Sequence, residues 1–328
     1  MDRRNLLALV ACGTLMAAGI QPAAAQTSTQ TWPQRSVKLI LPLGPGSGVD
    51  IGARLIAEKL AAKWGKGVVI ENKPGGDAIV AITAFTGAND DHTFLLAPTS
   101  TFTAHPFLHE KLPYDMKDLV PIARVSNTVV AVGVPASLGI NSLNDLLARA
   151  KAEPGKLNSA SATGANDFVA AGFLKQAGAE IARVPYRDTV QAINDLAEGR
   201  IQLYVAAYAI MRPHVQGGKV KVIAITNSER APMIPDVPTA KEAGHPALGI
   251  DGLIGLFGPK GMPDDLRNRI AADVKDAASD PDVSAKISAT GQIVRPGGAE
   301  EFAKEIEAQS KVVSAAAAAA GVKRMLQN

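Results

Sequence analysis

Between residues 37 and 64 the apolar period of the chain changes once, and that change restricts the fold more than any other feature. Val37-Lys38-Leu39-Ile40-Leu41 is the kind of short run that makes a buried strand, and the Gly44-Pro45-Gly46-Ser47-Gly48 stretch behind it can only be a loop. From Val49 onward Ala53, Leu55, Ile56, Leu60 and Ala61 recur at helical spacing until Trp64-Gly65. Strand, glycine loop and helix in that order open a βα unit. Further strand-like runs lie at 67–71, 93–97, 129–134, 201–206, 220–226 and 252–258, with helical patterns at 78–88, 143–151, 167–177 and 190–199. This alternation predicts an α/β fold with mainly parallel sheets. One cycle of strands and helices closes near Val132 and another runs from Ser142 to Thr226, so two sheets are expected. The proline-rich stretch 231–246 reads as a connector, and 263–278, 282–289 and 299–320 read as helices, the last of them alanine-rich.

The first 25 residues stand apart from this pattern. Asp2-Arg3-Arg4, an apolar stretch from Leu6 to Ile20 and the exit Pro22-Ala23-Ala24-Ala25 together read as a signal peptide cleaved near Ala25. The Arg3-Arg4 pair leaves the ordinary and the twin-arginine export routes both open. The single cysteine, Cys12, lies inside this segment, so the mature chain has no thiol for a disulfide, a nucleophile or a metal. Leu9-Val10-Ala11-Cys12 also resembles a lipoprotein processing site, but the apolar run before it is short for a signal core, and the soluble form ranks first. With 47% hydrophobic residues in 328, the chain can bury a real core and is not a disordered tail. Its net charge of +3 comes without a basic block, which argues against nucleic acid as a partner.

The glycine loop at 44–48 is the most informative local feature, because it leaves backbone N–H groups at the positive end of a helix. It lacks the Gly-Lys-Ser/Thr ending of a phosphate P-loop, the third glycine of a dinucleotide fingerprint and the flanking glycines of a nucleophile elbow. A plain turn and an anion cradle both remain as readings. A second stretch, Asn158-Ser159-Ala160-Ser161-Ala162-Thr163-Gly164-Ala165-Asn166-Asp167, opens another helix with small hydroxyl and amide residues. It is either an ordinary cap or an opposing set of donors across a cleft. Ser100 and Thr101, after the strand at 93–97, either add hydroxyl donors to the first set or form a turn.

The histidines give little support to a metal or triad enzyme. His105 and His109 have i,i+4 spacing, but Pro106 between them is expected to break the helix and no carboxylate pair accompanies them. His92, His214 and His245 are isolated, Arg187-Asp188 after Tyr186 reads as a solvated loop, and the helix dipole accounts for Asp50. No cofactor is expected.

Several stretches in order resemble a known family over nearly the whole mature chain. They are Trp32-Pro33, Leu41 to Asp50, Val68-Val69-Ile70-Glu71-Asn72-Lys73-Pro74-Gly75, Leu112-Pro113-Tyr114-Asp115 and Pro154-Gly155-Lys156-Leu157-Asn158. They continue with Val184-Pro185-Tyr186-Arg187, Asp195-Leu196-Ala197-Glu198-Gly199, Ala224 to Arg230 and Pro235-Asp236-Val237-Pro238-Thr239. Together they resemble the Bug-type periplasmic solute-binding receptors of tripartite tricarboxylate transporters. The resemblance implies a two-domain periplasmic-binding-protein clamshell of type II-like α/β fold, with residues 34–132 plus 251–328 in one domain, 133–250 in the other and two crossing hinge segments. It implies a small organic carboxylate in the cleft, held by loop amides, hydroxyls and ordered waters. The candidate ligand-binding residues are Leu43, Gly44, Pro45, Gly46, Ser47, Gly48 and Asp50 on the first jaw, with Ser100 and Thr101 beside them. Thr163, Gly164, Asn166, Asp167 and Tyr186 make up the second. The chain departs from the family where Ser47 follows Gly46, where Val49 precedes Asp50, and where Phe168 stands near a usual histidine. Another departure is Gly75-Gly76-Asp77-Ala78 in place of a longer glycine run.

The implied function is a monomeric, non-enzymatic periplasmic receptor that delivers its ligand to the integral membrane subunits of a transporter or presents it to a sensor. The alternative is an exported hydrolase or isomerase on a similar scaffold. That reading needs Asp50, Asp167 or His105 beside Ser47 or Ser100.

Overall fold

β1 (Val37–Leu41) leads into α1 (Gly48–Trp64), β2 (Val68–Asn72), α2 (Ile79–Ala88), β3 (Thr93–Pro98) and α3 (Thr99–Leu108). β4 (Val120–Thr128), β5 (Val130–Pro135), α4 (Leu143–Ala152), β6 (Leu157–Ser161), α5 (Ala165–Gln176) and β7 (Ile181–Pro185) follow. Then come α6 (Thr189–Ala197), β8 (Tyr204–Ala207), α7 (Tyr208–Gln216), β9 (Val220–Ile225) and β10 (Gly252–Gly258). The chain ends in α8 (Asp264–Ser279), α9 (Pro281–Ala289), β11 (Gln292–Gly297) and α10 (Ala299–Ala320). This computed structural model describes residues 32–161, 164–186 and 188–324. The chain divides into two units, Met1–Gln34 and Arg35–Asn328. In the first, Trp32, Pro33 and Gln34 are described, with a cis bond between Trp32 and Pro33. The signal peptide, its cleavage near Ala25 and Cys12 lie outside the described residues.

The unit Arg35–Asn328 holds a six-stranded sheet in the order β11-β4-β10-β3-β1-β2 and a three-stranded sheet in the order β8-β5-β9. β6 and β7 pair with each other in parallel, and a bridge between Ser159 and Leu203 joins β6 to the approach of β8. The expectation of mainly parallel pairing needs correction. β1 is parallel to β2 and β3, whereas β10 runs antiparallel to both β3 and β4, β11 antiparallel to β4, and β5 antiparallel to β8 and β9. Antiparallel neighbours need no crossover helix, and β10 re-enters the sheet on a long return segment instead of a βα crossover. β3 and β10 are buried along almost their full length, as expected of central strands covered on both faces.

The chain leaves the larger sheet at Thr128 and joins the smaller one at Val130 with a single residue between. It returns through residues 226–251. Hydrogen bonds tie the two crossings together: Asn227 Oδ1 accepts from Val130 N (2.9 Å), its Nδ2 donates to Thr128 O (2.9 Å), and Thr226 N donates to Val130 O (2.9 Å). Buried Gln309 of α10 links the start of α3 to the return crossing, accepting from Thr99 Oγ1 (2.6 Å) and donating to Asp251 O (2.8 Å).

α10 packs against both halves. Phe302 near its start is buried against β10, where a Cβ on Gly255 would fall 2.1 Å from the Phe302 ring, so only glycine fits there. Val313, Ala316 and Ala317 near its end join one apolar cluster with Phe168, Val169 and Phe173 of α5 and Phe107 of α3. Phe168 stacks edge-on against Phe107 with ring centroids 5.8 Å apart.

Six elements were not legible as such. β4 buries Arg124, Ser126 and Asn127, which break its apolar signal. Arg124 is clamped there by Glu301, Glu305 and the Arg295 carbonyl. β6, β7 and β11 are short and partly polar. α3 and α7 each contain a proline, Pro106 and Pro213, that removes one backbone donor without ending the helix. Pro106 therefore does not separate His105 from His109 as expected; both follow from one helix.

Candidate functional site

A cavity of about 560 Å³ lies within the unit Arg35–Asn328, with walls drawn from both sheets. The first turns of five helices reach it: Gly48 and Val49 of α1, Ser100 and Thr101 of α3, Asn166 and Asp167 of α5, Thr189 of α6, and Ala209 and Ile210 of α7. Each helix start carries unsatisfied N–H groups and partial positive charge. α3, α5 and α7 begin at Pro98, Gly164 and Ala207, none of which caps its helix through a side chain. Tyr208 N of α7 instead donates to Val129 O (2.7 Å), and the starts of α3 and α5 face the cavity without a capping side chain. The rest of the wall is largely apolar, with Val130, Leu203, Val205, Ala206 and Ala170 among its members.

The first jaw is held from behind by a buried carboxylate. Asp50 is 2% exposed and accepts from Gly46 N (2.9 Å), Asn72 Nδ2 (2.9 Å) and Arg54 Nε (3.0 Å). Asn72 Nδ2 also donates to Leu43 O (2.8 Å). Burial pushes the Asp50 carboxyl upward, but Arg54, the Gly46 amide and Asn72 outweigh it and hold the group below the usual carboxylate range. Ser47 caps α1 by accepting from Asp50 N (3.2 Å). Gly46 has φ +81°, a conformation that favours glycine. Gln292 of β11 supports the same turn, donating from Nε2 to Gly48 O (2.8 Å) while its Oε1 accepts from Ser126 Oγ (2.6 Å).

Across the cavity, Asp167 pairs with Arg183 of β7, and Arg183 Nη2 also donates to Ser161 Oγ (3.0 Å). Burial raises the Asp167 carboxyl against the opposing pull of Arg183 and Ser161. Asn166 Oδ1 is a buried acceptor with no partner among the described residues.

Of the residues singled out in the sequence, Leu43, Gly46, Ser47, Gly48, Ser100, Thr101, Asn166 and Asp167 line the cavity together. Gly44, Pro45, Asp50, Gly164 and Tyr186 are not part of its wall. Asp50 acts from behind the loop, and Gly164 is the N-cap of α5 at φ 112°. Tyr186 donates to Asp195 Oδ2 (2.7 Å), and burial followed by the Asp195 interaction leaves its hydroxyl pushed up to about 12. Thr163 and Arg187 lie outside the described residues. Sequence reasoning missed Arg183, Thr128, Gly252 and the run Thr290-Gly291-Gln292. A lone arginine in the short run at 181–185 was the one available signal; the others come from strand ends far apart in the chain.

Each of the three candidate bases has a partner of its own. Both Asp50 oxygens are taken by Gly46, Asn72 and Arg54. Asp167 faces Arg183, and His105 is bonded to Tyr114 and Asp77.

The family model described as "Tripartite tricarboxylate transporter family receptor" matches residues 52–321. Protein BugT of Bordetella pertussis (strain Tohama I) is 31% identical over 267 residues, covering 80% of this chain and 80% of that protein. The solved structure "R. palustris Rpa4515 with adipate" is 26% identical with a TM-score of 0.76, covering 89% of this chain and 99% of the other. "MatC (Rpa3494) from Rhodopseudomonas palustris with bound malate" is 28% identical with a TM-score of 0.70, covering 86% and 99%.

Proposed function

Since this chain belongs to the tripartite tricarboxylate transporter receptor family, we propose that it captures a small organic carboxylate in the cavity between its two sheets and delivers it to integral membrane subunits. The observation that carries this reading is the meeting of five helix N-termini around one cavity, three of them without side-chain caps. Fixed backbone donors at helix starts suit a carboxylate and need no reorganisation to bind it. The adipate and malate found with two related proteins support the same ligand class. A cavity of about 560 Å³ falls within the usual range for small-molecule sites.

In this reading the first turns of α1, α3 and α5 hold the anion with Ser47, Ser100, Thr101 and Asn166, and Arg183 supplies a guanidinium. Leu43, Gly44, Pro45 and Asp50 fix the loop behind them. We place the boundaries of the two lobes at Val129 and near Asp251, where the chain changes sheets. Each lobe contributes one half of the donor set, so a ligand touching both favours the closed arrangement. Among the described residues no helix is long and apolar enough to cross a membrane. The function fits a periplasmic monomer released by cleavage near Ala25.

The experiment is a thermal-shift screen of untagged mature protein against mono-, di- and aromatic carboxylates, followed by calorimetry. A ligand at 100 times its Kd adds about 2.7 kcal/mol to stability, which such a screen resolves readily. No shift across the panel would overturn the reading.

A further inference from the structure

One cluster of metal-ligating side chains plays no part in the carboxylate site. Asp77, His105 and His109 each offer a ligand atom, and those atoms lie within 4.8 Å of one another. We propose that these three residues form a binding site for a borderline transition-metal dication of the Zn²⁺ type, separate from the carboxylate cavity.

The chemistry of the set fits: two imidazoles and one carboxylate are common protein ligands of Zn²⁺ and leave a fourth position for water. The geometry fits as well. His105 Nε2 and Asp77 Oδ2 are 3.6 Å apart. Two ligands of a tetrahedral zinc at about 2.0–2.1 Å are separated by roughly 3.3 Å, so a small side-chain adjustment suffices. His109 Nε2 is a buried ring nitrogen without a hydrogen-bond partner among the described residues, and its ring meets that of His105 edge-on with centroids 5.2 Å apart. Tyr114 Oη bonds His105 Nδ1 and fixes the ring, leaving Nε2 on the side of Asp77. Such an outer partner is typical of metal-bound imidazoles.

The backbone supplies an independent observation. Asp77 and Ala78 have φ of +53° and +68°, consecutive non-glycine residues in the left-handed region. Side chains are disfavoured there, and this backbone places the Asp77 carboxylate beside a fully buried histidine. Asp77 remains 26% exposed, which gives an ion a way in. Without metal, His105 Nε2 is 2.9 Å from the Asp77 carbonyl oxygen and serves as its donor. Metal binding requires that ring proton to leave Nε2, with the neutral imidazole carrying its proton on Nδ1 toward Tyr114. Once bound, the ion ties the loop after β2 to α3, whose first turn lines the carboxylate cavity.

The test uses untagged, chelator-treated mature protein titrated with ZnCl₂ by calorimetry and thermal shift, with Co²⁺ absorption as a reporter of coordination. The expected result is one equivalent of Zn²⁺ bound, a raised Tm and visible Co²⁺ bands of a tetrahedral site. Asp77→Gly removes the carboxylate while relieving the positive φ, so it is expected to keep or raise the metal-free Tm and weaken Zn²⁺ binding at least tenfold. His109→Ala is expected to weaken binding similarly. Both variants are expected to retain their thermal shifts with the carboxylate panel, so failure of the metal site stays distinct from failure of the carboxylate reading. No stoichiometric Zn²⁺ binding by the parent protein, or binding unchanged in Asp77→Gly and His109→Ala, overturns the proposal.

Discussion

Gly172 of α5 packs against the backbone of Ala316 of α10 so closely that a methyl group on Gly172 would stand 2.7 Å from the Ala316 carbonyl oxygen. α5 presents Asn166 and Asp167 to the cavity from its other end, so this contact helps set the aim of one jaw. Gly172→Val is expected to cost about 1–3 kcal/mol by overpacking. Urea unfolding measures it, and an unchanged midpoint would show that α10 moves aside freely.

Asp50→Ala is expected to destabilise the protein by about 1–3 kcal/mol, because it strands the Gly46 amide, Asn72 and Arg54. The folded Asp50 carboxyl titrates below its ordinary value, so its stabilisation is present above the unfolded carboxyl range near pH 4 and is lost as pH falls through the lowered folded value. The parent protein therefore loses more stability on acidification toward pH 3 than the variant does. Denaturation midpoints at pH 3 and pH 6 compare them directly.

Asp167 works in the opposite sense. Burial raises its carboxyl, and the proton it takes up as pH falls stops it from neutralising Arg183. Carboxylate affinity is expected to be higher at acidic than at neutral pH, and Asp167→Asn is expected to bind more tightly at neutral pH with a flatter profile. Arg183 is 40% exposed and screened by solvent, so the change stays within about tenfold. Calorimetry at the two pH values decides the sign.

Ala170 lines the apolar side of the cavity. Ala170→Phe is expected to weaken carboxylate binding at least about tenfold while changing stability by no more than about 1 kcal/mol. Parallel thermal-shift and affinity measurements separate the two effects; full affinity in this variant would place the ligand elsewhere.

The sequence carried the strands whose apolar runs are continuous, β1, β3 and β10, and the helices whose period is regular, α1 and α10. It concealed β4, because Arg124 needs Glu301 and Glu305 from far along the chain before burial is tolerable. α3 was obscured by Pro106, a residue that usually ends a helix but here falls in its last turn. The glycine loop at 44–48 was legible as a loop before a helix, open both to a plain turn and to an anion cradle; in the structure Gly46 N donates to Asp50 and Ser47 N to Gly44 O. Asp50 was not legible as the support behind that loop, because its partners Asn72 and Arg54 are chosen by tertiary packing. Arg183 and Gln292 reach the cavity from strands that only the assembled sheets bring near it.

β10 lies between β3 and β4, although 123 residues separate the end of β4 from its start. During synthesis the six-stranded sheet therefore has a vacant central lane until the last quarter of the polypeptide emerges. The strands of the smaller sheet lie within Val130–Ile225 and have no such wait. Long-range pairing of this kind is slow and leaves edges exposed meanwhile. The larger sheet is thus the later of the two to be completed, and a chaperone that shields the nascent protein would find its exposed edges at β3 and β4 until Gly252 arrives.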